Sequence, residues 1–100
     1  MAGSVVTSED GRILLCKRAI EPRRGFWTLP AGFMELGETV EEAAMREAKE
    51  EACADIRING LLATYSVPRI GQVQIMFRAT LASDIAPGPE SLETELVAWK

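Results

Sequence analysis

The chain has 100 residues, 11 of them basic and 15 acidic, for a net charge of −4, and it contains no histidine. That length holds one domain with a modest core, and 47% hydrophobic with 26% charged residues is globular composition. The acidic balance argues against general nucleic-acid binding, which needs a basic stripe to displace counterions, and the missing histidine excludes every catalytic triad built on one.

Residues 3–7 and 12–18 are β-branched or aliphatic and flank the turn signal Ser8-Glu9-Asp10-Gly11, which predicts a hairpin. A basic, proline-containing loop follows from Ala19 to Gly25, and then FWTLPAGF, an apolar stretch broken by Pro30 and Gly32. Residues 39–53 are the one good helix, opened by Thr39 and Glu42 as a capping box and filled with alanine. Strands are expected at 61–67 and 72–81. In the second, Val73, Ile75, Phe77, Ala79 and Leu81 alternate with Gln72, Gln74, Met76, Arg78 and Thr80. APGPES at 86–91 is a loop, and a last strand begins at 95–99.

The order is α+β. One helix covers one face of a sheet and leaves the other bare, so a further helix beyond Lys100 is expected, and the N-terminus also reads as cut short. A bare face would be an exposed apolar patch and a reason to self-associate, which leaves a homodimer open. No apolar run approaches the ~20 residues of a membrane span. The N-terminus MAGSVVTSEDG lacks the basic-then-apolar layout of a signal peptide. Cys16 and Cys53 stand far apart with no CxxC pairing, which fits a reduced, cytoplasmic setting.

The helix carries the chemistry. At about 100° per residue, Glu47, Glu50 and Glu51 share one face, while Ala44, Ala48 and Ala52 form a separate stripe that admits close approach to a sheet. The like-charge pairs Glu47–Glu51 and Glu47–Glu50 each cost roughly 0.2–0.5 kcal/mol. Arg46 offsets part of this, being four residues from both Glu42 and Glu50, but it is expected to lie off the Glu47–Glu51 edge. Such a face is either plainly solvated or an oxygen-only site for a hard divalent cation, Mg²⁺ or Mn²⁺.

From Gly32 to Ala54 the sequence GFMELGETVEEAAMREAKEEACA resembles the Nudix box of the Nudix hydrolases. That box reads glycine, five residues, glutamate, seven residues, then Arg-Glu-aliphatic-any-Glu-Glu-any-Gly-aliphatic. Gly32, Glu38, Arg46, Glu47, Glu50 and Glu51 match it, with Ala48 and Ala54 at the aliphatic positions. Cys53 stands where the family has its second glycine, which puts the sharpness of the turn after the helix in question. A small buried residue is the expected role of Cys53, with a redox switch as the alternative.

The resemblance implies a single domain over 1–100, an α/β/α sandwich with a mixed sheet, here without its C-terminal helix. It implies a catalytic set of Glu50, Glu51 and Arg46, and Mg²⁺ (or Mn²⁺) held by Glu47, Glu50 and Glu51 with Gly32. Arg46 would orient the carboxylates by ion pairing, and Glu38 would complete the loop–helix geometry or bind a metal through water. The general base would be Glu50 or Glu51, or a carboxylate of the late loop: Glu90, Glu93 or Glu95.

Beyond the box, LCKRAIEPRRGFWTLPAGFMELGE, SVPRIGQVQIMFRATL and APGPESLE look like the subgroup that hydrolyses FAD and ADP-ribose. The implied activity is a Mg²⁺-dependent cut at a diphosphate that releases AMP. The zinc ribbon of some members and the SQPWPFPxS-type array of NADH-directed ones are absent. Arg18, Arg23, Arg24, Trp27 and Arg69 are the implied substrate contacts. Phe26, Trp27 and Tyr65 either stack on an adenine or flavin ring or pack in the core. Hydrolysis of oxidised nucleoside triphosphates is the alternative within the enzyme class. A non-catalytic nucleotide-binding domain and an inactive fragment are the alternatives outside it.

Overall fold

The chain, seen as a computed structural model that describes residues 1–89 and 93–100, forms helix α1 (Val40–Ala52) where the capping box puts it. Thr39 Oγ1 accepts from the Glu42 N–H at 3.1 Å, and Glu42 Oε1 accepts from the Thr39 N–H at 2.9 Å. Ala44, Ala48 and Ala52 are fully buried, so the small-residue stripe is the packed face. Among the described residues no helix is long and apolar enough to cross a membrane.

Cys53 ends α1 in the left-handed region, φ 53° and ψ 34°, with its N–H on the carbonyls of Ala48 and Lys49. The turn is as tight as a glycine would make it, and the Cβ makes it strained. Cys53→Gly is expected to relieve about 1 kcal/mol of that strain and raise the melting temperature by roughly 4–8 °C. Cys53→Ala keeps a Cβ and should bring no such gain in the same melts.

Among the described residues there are seven strands: β1 (Ala2–Val6), β2 (Leu14–Arg18), β3 (Trp27–Thr28), β4 (Ala31–Gly32), β5 (Ile56–Val67), β6 (Gln72–Leu81) and β7 (Thr94–Trp99). They make a mixed sheet in the order β4-β1-β6-β5, with β1 parallel to β6, and an antiparallel sheet in the order β3-β2-β7. The predicted hairpin is corrected by this topology. The turn at Ser8–Gly11 forms, but β1 and β2 meet only at the Thr7–Ile13 bridge and then enter different sheets. The gain is burial: Val6 from one sheet and Leu14 and Cys16 from the other join Ala48, Ala52, Ile56 and Ala79 in one core. Ala2, Ala43, Ala44 and Phe77 form a second cluster.

β5 starts at Ile56 rather than 61, because pairing with β6 draws in the weak strand formers Asn59 and Gly60, with a bulge between Ile58 and Gly60. The two rows of β6 alternate as the sequence predicts, but burial departs from a simple inner and outer row at two places. Val73 lies at the strand's start, clear of both core clusters, and is 53% exposed. Met76, in the row that alternates with Ile75 and Phe77, is 6% exposed. The face away from α1 is therefore not bare at its centre, where Met76 is buried and lines a cavity together with Met1, Thr28 and Leu29.

Candidate active site

β4 leads through a short loop into α1, and this places Gly32 against the helix. A Cβ at position 32 would land on the Glu47 carboxylate, so only glycine leaves room for that side chain, which is buried. The structure thus shows Gly32 as the floor beneath Glu47.

Arg46 organises the acids. Its Nε and Nη2 grip the two Glu38 oxygens at 2.7 and 3.0 Å, and Nη2 also donates to the Phe33 carbonyl at 2.9 Å. Nη1 donates to Glu47 Oε1 at 2.8 Å and Glu50 Oε2 at 3.1 Å. The expectation that Arg46 sits off the Glu47 edge is therefore corrected. Glu42 is occupied by the capping box, which leaves the guanidinium free to turn toward Glu38 and Glu47. Arg46 holds the Glu38 carboxyl below its usual range, and Glu38 in return holds Arg46 firmly charged.

Glu51 points the other way, its Oε2 accepting from the Ala31 N–H at 3.1 Å. Burial pushes its carboxyl up to about 8, the charge and contact of Glu47 and the charge of Glu93 add to this, and the Ala31 N–H opposes it. Two carboxylates within hydrogen-bonding reach, partly shielded from water, must share a proton or a cation. Among the described residues no group of three cysteine or acidic side chains is already arranged to hold a metal ion. Arg46 draws Glu47 and Glu50 to one side while Ala31 draws Glu51 to the other. The paired carboxylates over the Gly32 backbone are an all-oxygen donor set, which fits a hard divalent cation.

Beside Glu51 opens a cavity of about 440 Å³ walled by Arg18, Leu29, Tyr65, Gln74 and Met76. A second, of about 230 Å³, is walled by Arg18, Arg23, Phe26, Trp27 and Thr28, so Arg18 stands between the two. Arg18 Nε is held by the Pro22 carbonyl at 2.7 Å, and Lys100 Nζ sits 4.7 Å from the Trp27 ring centroid. Phe26 and Tyr65 are exposed rather than packed in the core.

Two predicted contacts are not brought to these cavities. Arg24 Nε turns back to the Ala19 carbonyl at 3.0 Å, and Arg69 lies on a 3₁₀ turn (Pro68–Ile70); neither lines either cavity. Of the late carboxylates, Glu93 reaches the site. With Cys16, Thr28 and Glu51 it encloses a space of about 10 Å³, roughly one water's worth. Glu95 is exposed on β7, and Glu90 lies outside the described residues. The Cys16 thiol is pushed up to about 12 by burial and the Glu51 charge, which makes it unreactive. Gln74 and Met76 were not expected at the site. The signal was their alternation with Ile75 and Phe77, but sequence alone leaves that face to solvent.

A family model for the NUDIX domain matches residues 1–100. The chain belongs to the Nudix family. A NUDIX hydrolase from Nitrosomonas europaea, known from a crystal structure, has the same fold with a TM-score of 0.92 at 47% identity, over 99% of this chain and 55% of that one. The ADP-ribose pyrophosphatase of Methanocaldococcus jannaschii is 48% identical over 63 residues, 63% of this Nudix chain and 37% of that protein. The human 8-oxo-dGDP phosphatase is 53% identical over 49 residues, 49% of this chain and 15% of its own length. This Nudix chain thus spans about half, or less, of each protein it matches here.

Proposed function

We propose that the chain is a Mg²⁺-dependent pyrophosphohydrolase that cuts the diphosphate of a nucleoside diphosphate linked to another group, FAD or ADP-ribose, and releases AMP. The observation that carries this reading is the Glu47–Glu51 pair, Glu47 buried and Glu51 partly so, with Glu51 lining a cavity that shares Arg18 with a second, smaller one. A substrate with a group on each side of its diphosphate matches two cavities joined at a cation. Mg²⁺ or Mn²⁺ held by Glu47, Glu50 and Glu51 with Gly32 would neutralise the diphosphate, polarise a phosphoryl oxygen and acidify the attacking water.

The chain's own residues supply the rest. Arg46 and the Gly32 backbone fix the direction of Glu47, and Glu38 anchors Arg46 to the preceding loop. Arg18 and Arg23 meet the charge of the phosphates. Glu50, half open to solvent, takes the proton of the attacking water. A new bond forms from that water to phosphorus, the P–O–P bridge breaks, and two monophosphates leave.

The test is a panel of FAD, ADP-ribose, NADH and 8-oxo-dGTP, each with Mg²⁺ and with chelator. AMP release from FAD or ADP-ribose only with metal is expected. Hydrolysis of 8-oxo-dGTP alone would move the chain to the oxidised-nucleotide reading, which the human relative's name supports. No turnover of any substrate would overturn both.

A further inference from the structure

The register of the mixed sheet puts a side chain at the site that the proposed reaction leaves without a role. Along β6, Ile75 and Phe77 pack with α1, so Gln74 and Met76 project from the opposite face. Antiparallel pairing sets Tyr65 beside Gln74 and Ala63 beside Met76 on that face. Tyr65, Gln74 and Met76 wall the cavity of about 440 Å³ that has Glu51 at its edge, a volume within the ~300–1,000 Å³ usual for small-molecule sites.

The wall has the composition a nucleobase needs. Met76, at 6% exposure, gives an apolar floor, and the 54% exposed Tyr65 offers a ring for stacking. Gln74 is half-buried, and among the described residues its carboxamide makes no hydrogen bond. An amide presents one donor and one acceptor side by side, the pair that meets an adenine amino group and its neighbouring ring nitrogen. Among the described residues no other side-chain amide lines this cavity.

We propose that Gln74 is the specificity-determining residue for the base, reading the adenine of the AMP half while Tyr65 stacks on it. This rests on the diphosphate reading above for the identity of the nucleotide. The smaller cavity beyond Arg18 then takes the other half of the substrate.

Calorimetric titration of the full chain with AMP, GMP and ribose 5-phosphate in Mg²⁺ tests this without turnover. The wild type is expected to bind AMP more tightly than GMP and than ribose 5-phosphate. Gln74→Leu should bring AMP about tenfold closer to ribose 5-phosphate, the loss of one buried hydrogen-bonding partner. Gln74→Glu should reverse the base preference, because a carboxylate only accepts and guanine offers two adjacent donors, N1–H and its amino group. A merely structural role would not invert that preference. AMP binding left unchanged by Gln74→Leu, a Gln74→Glu protein that still prefers AMP, or a wild type that does not bind AMP would each overturn the proposal. AMP binding that depends on Gln74 in a chain that hydrolyses nothing would leave it standing and sink the hydrolase reading alone.

Discussion

Glu51→Gln is expected to lower metal-dependent AMP release by about 10³-fold. The amide keeps the size of the side chain and can still accept from the Ala31 N–H, but it lacks the negative charge with which Glu47 and Glu51 would hold a cation in the proposed reaction. Steady-state rates over a Mg²⁺ titration check this. Rates within threefold of wild type at saturating Mg²⁺ would remove Glu51 from the site.

The same substitution should change how the metal-free chain responds to pH. Burial raises the Glu51 carboxyl from its ordinary 4.5 to about 8. The folded chain therefore keeps a proton that the unfolded chain gives up near 4.5. The stability this group contributes is full below that value and is lost as pH rises through about 8. Urea melts of the metal-free wild type should weaken across this window more steeply than those of Glu51→Gln, whose amide cannot ionise. Equal slopes would show that Glu51 ionises freely in the folded chain.

Arg46→Met is the second large effect, expected to cost about a hundredfold in the same assay and to lower the melting temperature. The guanidinium spans Glu38, Glu47, Glu50 and the Phe33 carbonyl at once. Without it the Glu47 side chain, 11% exposed, loses its direct cation partner, and the loop loses its tie to α1. Arg46→Lys is expected to rescue little, since one ammonium cannot grip Glu38 and Glu47 from opposite edges of a plane. Activity near wild type in Arg46→Lys would show that charge alone, not the fork, orients the acids.

The acidic helix was legible because each of its determinants acts within a few residues. Thr39 and Glu42 cap it, the alanines share a face by helical period, and Glu47, Glu50 and Glu51 are brought together by that period too. The position of Cys53 as the stop was legible for the same reason. Arg46 shows where this ends. Its spacing from Glu42 and Glu50 suggested ion pairs along the helix, yet its strongest grip is on Glu38, in the preceding loop.

The sequence by itself determined the helix, its small-residue face, the phasing of the three glutamates and the Nudix family. The tertiary structure decided which sheet each strand joins, the burial that raises Glu51, the approach of Glu93, the position of Arg18 between two cavities, and the turning of Gln74 and Met76 into one of them. The division follows from range. Helical hydrogen bonds and caps join residues three or four apart, so composition and period specify them. Strand partners such as β1 and β6 lie far apart in the chain, and alternation says which residues share a face without saying what covers it.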